Sequence, residues 1–329
     1  MLKLGILDQS PISEGMEAKT ALNNTVDLAK FADEHGYSRF WVSEHHGSRA
    51  FASASPEIFI SSLVAQTQNI KLGTAGILLS HYSPFKIAEQ MSLLSTLYPD
   101  RIDLGIGRAL GGDPKIIKLL NSDPSPNGLF NKYDKLIDLL HKNNSAVRVV
   151  PDTDQKPELW ILGSGTESAR YAAERGLRYS FASFINAEQI MQSLQTYHQN
   201  FIPSTYLDKP YTNLSLFALC AGNENNANEL AKVAEEWLVK SLLLKQDMPF
   251  PKNVENSSIL DSLPAQMLVK MFREYSAIGS PTQVINKLLS LKQKLMIDEF
   301  TIVTITHNQN DKINSYKLIA EENKKVEND

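Results

Sequence analysis

Three titratable side chains in a row, Glu44, His45 and His46, follow the apolar run SRFWVS at residues 38–43. A carboxylate beside two imidazoles can donate or accept protons near neutral pH. Metal ligation is another use, but adjacent histidines point in different directions and a catalytic metal needs further ligands from other segments. The same residues could also do no more than tie a loop together by hydrogen bonds. A second candidate is the turn Gly163-Ser164-Gly165-Thr166-Glu167-Ser168, which ends the apolar run ELWILG and opens a helical pattern. Glycines let a ligand approach the backbone, and hydroxyls with free N–H groups at a helix start suit phosphate. Glu167 would compete with an anion there, and such turns also form without a ligand. Arg108, after Gly105-Ile106-Gly107, is a forked donor for phosphate or carboxylate, unless an acid such as Asp113 occupies it. Gly73-Thr74-Ala75-Gly76 sets four small residues where a packed sheet carries bulky ones, which suits a flat ring against the backbone or, nearly as well, a tight internal turn. His81, ahead of Ser83-Pro84, reads as a loop or capping histidine.

These groups matter only if the chain gathers them. Apolar runs at 2–8, 38–43, 71–77, 102–106, 158–163, 178–182, 214–220 and 299–305 predict strands, and most are nearly continuous rather than alternating. That pattern suits parallel strands covered on both faces. Helical patterns fall at 19–35, 56–67, 84–97, 128–142, 167–175, 186–200, 226–245 and 281–294. Ser83-Pro84 and Ser280-Pro281 supply a cap and a first-turn proline, while Gly36 and Gly176 supply stops. Eight strands and eight helices predict an α/β protein, a single (β/α)8 barrel over residues 1–329. A doubly wound sheet would carry a phosphate glycine loop after its first strand, whereas here that strand ends Leu7-Asp8-Gln9-Ser10-Pro11. In a barrel every candidate above lies at the carboxyl end of a strand, where such folds place their chemistry. Residues 246–275, with a short helix at 263–275, form an excursion before the last predicted helix: a lid or a packing extension. The charged tail 321–329 reads as frayed.

The bulk composition narrows the function. A formal charge of −4 over 329 residues gives no basic field for nucleic acid or an acidic membrane. No apolar run reaches the length of a membrane span, and residues 1–8 read as a strand rather than a signal peptide. One cysteine, Cys220, excludes an internal disulfide or a cysteine-rich metal site. A cytoplasmic protein acting on a small molecule is the expectation.

The stretches LDQSPI (7–12), GYSRFWVSEHH (36–46), KLGTAGILLSHYSPFKIAEQ (71–90), RIDLGIGRA (101–109), ELWILGSGTESARYAAERGL (158–177), IGSP (278–281) and DEFTIVTITH (298–307) run through the chain in order. As a set they resemble the luciferase-like monooxygenases, in their short single-chain branch. The resemblance implies a barrel that binds FMN non-covalently. Reduced flavin would react with oxygen to a flavin hydroperoxide that oxidises a small organic substrate. It implies that His45, with Glu44 beside it, is catalytic through proton handling. It further implies that Arg108, Gly163, Ser164, Gly165 and Ser168 hold the phosphate, and that Thr74-Ala75 is the site of a non-prolyl cis peptide against the flavin ring. No metal is implied. Gly107 stands where bacterial luciferase has a reactive cysteine, so the light-emitting aldehyde chemistry is not expected to carry over. Ser164 stands where luciferase has a glutamate, and residues 121–156 form a shorter segment than in close relatives. With no nicotinamide fingerprint, reduced FMN is expected from a separate flavin reductase, and helices two and three offer apolar faces for a homodimer. The rival readings are a deazaflavin-dependent oxidoreductase on the same barrel, a flavin-binding protein without turnover, and a metal-dependent hydrolase.

Overall fold

The computed structural model describes every residue except 110, 121–125, 142–146, 255–256 and 327–329, and the side chains of 126, 127 and 257. Nine parallel strands form one sheet: β1 (Leu4–Asp8), β2 (Arg39–Val42), β3 (Lys71–Leu78), β4 (Ile102–Gly107), β5 (Glu158–Gly163), β6 (Arg178–Ala182), β7 (Thr212–Cys220), β8 (Ala277–Gly279) and β9 (Glu299–Val303). β1 pairs with β2 and so on to β7, then β9 joins β7 to β1, which closes an eight-stranded barrel. The expected (β/α)8 architecture is therefore present. β8 is an addition, pairing only with the upper end of β7 (Ala218 to Ala277, Cys220 to Gly279).

The strands are buried on both faces because helices enclose them. These are α1 (Ala18–Glu34), α2 (Pro56–Val64), α3 (Pro84–Leu97), α4 (Pro114–Leu119), α5 (Pro126–His141), α6 (Thr166–Glu174), α7 (Ile190–Gln199), α8 (Glu224–Leu242), α9 (Leu263–Glu274), α10 (Pro281–Leu295) and α11 (Gln309–Lys325). Ser280 starts α10 with a full capping box, Gln283 returning the bond, whereas Ser83 makes no capping bond to α3. No helix among the described residues is long and apolar enough to cross a membrane.

One expectation fails. Residues 321–325 are not frayed but complete α11, which has no counterpart in the predicted helices. Its charges form a solvated face (Lys325–Glu322 at 2.7 Å), while Tyr316, Ile319 and Ala320 are buried on the other. Asn323 closes it onto the chain start, accepting from the Leu2 N–H at 2.9 Å and donating to the Leu2 carbonyl at 2.8 Å.

Both ends of the barrel are pinned by charge. At the amino end, the buried Arg39 guanidinium opens β2 and donates to Asp103 of β4 and to both oxygens of Glu299 of β9, at 2.6 and 3.1 Å. Glu158 of β5 lies 3.5 Å away and pairs with Lys71 (2.8 Å) and Arg178 (2.7 Å). The Arg39 guanidinium also lies 4.7 Å over Trp160, and Trp41 Nε1 donates to Asp103 at 2.8 Å. At the carboxyl end, the buried Asp8 of β1 pairs with Lys312 of α11 and accepts from Thr25 Oγ1 and the Ser10 N–H, each at 2.8 Å. Six strands and their connections are thus fixed in register beneath the mouth.

Candidate active site

The carboxyl-end mouth holds a cavity of about 340 Å³. Glu44 and His45 reach it from the end of β2, Ala75 and Gly76 from β3, and Gly107 and Arg108 from β4. Gly163, Ser164 and Ser168 come from β5 and the start of α6. Segments scattered over the sequence thus converge, as the fold requires. Of the residues singled out from the sequence, Gly73, Thr74, Gly165, Thr166 and Glu167 do not line the cavity, and neither do His46 and His81. Thr74 is a strut between strands: its Oγ1 donates to the Gly105 carbonyl at 2.9 Å and accepts from the Gly105 N–H at 3.2 Å.

Small residues, Ala75, Gly76 and Gly107, form one wall of the cavity, beside Leu7, Leu78 and Leu162. The register of β3 on β4 breaks between Thr74 and Ile77, and the cis peptide lies there, at Ala75–Gly76 rather than at Thr74–Ala75. Close packing requires glycine there: a Cβ on Gly76 would stand 2.5 Å from Leu162 Cδ1 and 3.0 Å from the Gly105 carbonyl. Gly163 is equally constrained, since a Cβ there would fall 1.9 Å from Ser168 Oγ.

Arg108 and the start of α6 form another end of the cavity. Gly165 caps α6 without a side-chain bond, so the cap leaves first-turn N–H groups of the helix without a side-chain partner. Arg108 forms an ion pair with Glu167 in that turn, and both side chains are largely exposed. Ser168 Oγ donates to the Gly165 carbonyl at 2.9 Å.

Glu44 is engaged on both oxygens. Oε1 accepts from Tyr82 OH at 2.9 Å and meets His46 Nε2 at 2.7 Å, and Oε2 accepts from the Leu78 N–H at 2.9 Å. Candidate ligand atoms of Glu44, His46 and His81 lie within 4.8 Å of one another, but the carboxylate they would share is already satisfied. The cluster therefore reads as a hydrogen-bond hub joining β2, β3 and the turn after β3.

His45 is held differently. Its ring stacks on Phe51 (4.2 Å between centroids, 29° between planes), its Nδ1 lies 3.1 Å from Ser43 Oγ, and its N–H donates to the Ser53 carbonyl at 3.0 Å. Burial, and then the neighbouring His46, push its imidazole down to about 4, so it is neutral at physiological pH. A neutral, oriented imidazole can accept a proton or donate a hydrogen bond.

A second, apolar chamber of about 280 Å³ opens beside the first and shares Gln9, His45, Phe184 and Ile185 with it. The sequence reading missed it. Its aromatic walls come from separate segments, and no local pattern signals it: α8 and α9 carry one aromatic each, Trp237 and Phe272.

Comparison with known proteins agrees with this layout. N-acetyl-S-alkylcysteine monooxygenase of Bacillus subtilis is 32% identical over 332 residues, with 98% of each chain covered. The crystal structure of apo-MsnO8 superposes with a TM-score of 0.92 at 32% identity, covering 98% of this chain and 99% of the other. At 18% identity, where only the fold is informative, the FMN complex of the oxygenating constituent of 3,6-diketocamphane monooxygenase from Pseudomonas putida gives a TM-score of 0.75 over 98% and 97% of the two chains. The sequence pattern of one family runs through residues 2–299, from β1 to the start of β9: the chain belongs to the luciferase-like monooxygenases, a family of flavin-dependent enzymes.

Proposed function

We propose that this enzyme binds FMN across the carboxyl-end mouth, takes it in reduced form from a separate flavin reductase, and uses it with dioxygen to oxygenate a small organic substrate. One observation carries the reading. Arg108, the α6 start that Gly165 caps without a side chain, and a neutral His45 face the same cavity, beside the small residues Ala75, Gly76 and Gly107. The residues fit the cofactor. The guanidinium and the α6 N–H groups suit a phosphate dianion. The strip Ala75, Gly76 and Gly107 leaves a flat ring free of side chains beyond a methyl. An FMN-bound neighbour of the same fold supports the choice.

Bound reduced flavin supplies the activation of oxygen. The chain's own residues do the rest. Arg108, Ser164, Ser168 and the α6 N–H groups bind phosphate. Gly163 lets Ser168 pack close to the strand. Ala75 and Gly76 receive the ring, and Thr74 holds the strand beneath it. His45 moves or holds a proton at its ring nitrogen. We assign Glu44 to positioning, because its oxygens are occupied in fixing the His45–His46 loop against β3.

Arg108→Ala tests this. A hydrogen bond to a charged group contributes about 1.5–3 kcal/mol, so FMN binding, read by quenching of flavin fluorescence, is expected to weaken about 10- to 100-fold. Glu167→Gln is expected to tighten it a few-fold by releasing Arg108 from an exposed pair of little intrinsic worth. Unchanged FMN affinity in R108A, or binding of a deazaflavin in place of FMN, would sink the proposal.

Assembly as a homodimer is part of the same reading. Ile58 of α2 is 65% exposed, and Leu93 and Leu97 of α3 are 50% and 60% exposed, on adjacent helices. Leu93→Asp with Leu97→Asp is expected to convert dimer to monomer in sedimentation velocity. A monomeric native chain, or a dimer indifferent to both changes, would exclude this face.

A further inference from the structure

The second chamber has a chemistry of its own. Among the described residues lining it there is no Asp, Glu, Lys or Arg. Its walls include Phe51, Phe184, Phe217, Trp237, Phe272 and Ile305, and its polar members are Gln9, Ser241 and the neutral His45. The walls are braced from behind. Trp237 donates from Nε1 to the Met248 carbonyl at 3.1 Å, leans on Phe250 at 5.6 Å and meets Phe51 edge-on at 5.9 Å. Phe217 packs on Phe272 at 5.0 Å. The excursion at 246–275 thus supplies structure to the chamber: Phe272 as wall, Phe250 and Met248 as supports for Trp237.

We propose that this chamber is the substrate site and that it selects an uncharged, mainly apolar small molecule. The identification as a substrate site rests on the flavin reading above, because His45 joins the chamber to the flavin cavity; the charge selectivity does not. An ion entering would lose its hydration and meet no opposite charge, which costs more than apolar contacts return. The volume sits just below the range of roughly 300–1,000 Å³ that takes drug-sized ligands, so the guest is small. The inference separates this enzyme from its relative named for N-acetyl-S-alkylcysteines, whose carboxylate would find no cation in this chamber.

Trp237 is a built-in reporter. Titrating the full-length protein at pH 8 with 1-octanol and with octanoate, two probes of equal chain length, should change tryptophan fluorescence. The alcohol is expected to bind at least 10-fold more tightly, and the alcohol signal should vanish in Trp237→Phe. Ser241 is only half-buried on α8, so Ser241→Arg should fold, and it is expected to reverse the preference in favour of octanoate. Equal or tighter binding of octanoate by the native protein, binding of neither probe, or an unchanged ratio in S241R overturns the proposal. FMN binding is measured separately by flavin fluorescence. Octanol bound without FMN defeats the flavin reading and leaves the selectivity standing, whereas FMN bound with no probe selectivity does the reverse.

Discussion

Replacing Arg39 by Met is expected to destabilise the barrel by about 3–5 kcal/mol, the usual cost of removing one partner from a buried ionic cluster. The guanidinium is the shared cation beneath the barrel, bonded to Asp103 and Glu299 and 3.5 Å from Glu158. Burial pushes Asp103 up to about 6 even with Arg39 present. Burial also opposes ionisation of Glu158 and Glu299, but Arg39 leads the charges that bring Glu158 down to about 2 and hold Glu299 below the usual range. Without the arginine, all three carboxyls should shift upward.

The sign of the pH dependence follows. In the native protein the depressed Glu158 and Glu299 contribute stability that is present above about pH 4.5 and lost as pH falls toward their folded values. In R39M Asp103, already raised to about 6, rises further, so its contribution is present at low pH and lost as pH rises through its folded value, while Glu158 keeps Lys71 and Arg178. Urea unfolding should therefore show a deficit that is larger at pH 8 than at pH 5.5. A deficit below about 1 kcal/mol, or one that grows on acidification, would contradict this account of the cluster.

The second large effect belongs to His45. General acid–base groups contribute about 10²–10⁴-fold, so His45→Asn is expected to lower product formed per reduced FMN oxidised by at least about 100-fold. FMN affinity should stay within a few-fold, since the phosphate is held elsewhere. Because burial and His46 lower the imidazole to about 4, the neutral form is present above that pH. The native rate should show no imidazole inflection near 6.5 and should change only as pH falls toward 4. An inflection near 6.5 that disappears in H45N would show that the ring is solvated and charged in turnover, contrary to its packing on Phe51.

Much of this was legible in the residues. Parallel strands covered on both faces are apolar throughout, so β1 to β7 and β9 could be read from runs such as FWV and LWIL. The site at the mouth followed once those strands were placed, because a barrel brings strand ends together whatever their separation in sequence. Four features were hidden. α11 carries its apolar residues sparsely among Lys, Glu and Asn, so no helix is predicted there and its last turn, 321–325, reads as part of a charged tail. The floor charges (Arg39, Asp103, Glu158, Glu299) each sit near a strand start, a position where a single charged residue reads as solvated. Glu44 could be placed at the mouth from its position after β2, but its bonds to Leu78, Tyr82 and His46 depend on tertiary contacts no local pattern encodes. The aromatic chamber is the same case, since Phe51, Phe217, Trp237 and Phe272 come from four segments.

The most direct test of the flavin barrel is a crystal structure of the protein soaked with FMN. The phosphate should lie within about 2.7–3.2 Å of the Arg108 guanidinium and the first N–H groups of α6, with Glu167 displaced and the ring over Ala75–Gly76 facing His45. A phosphate bound away from Arg108 and Ser164–Ser168, or a mouth that takes no FMN under conditions where a deazaflavin binds, would contradict the account.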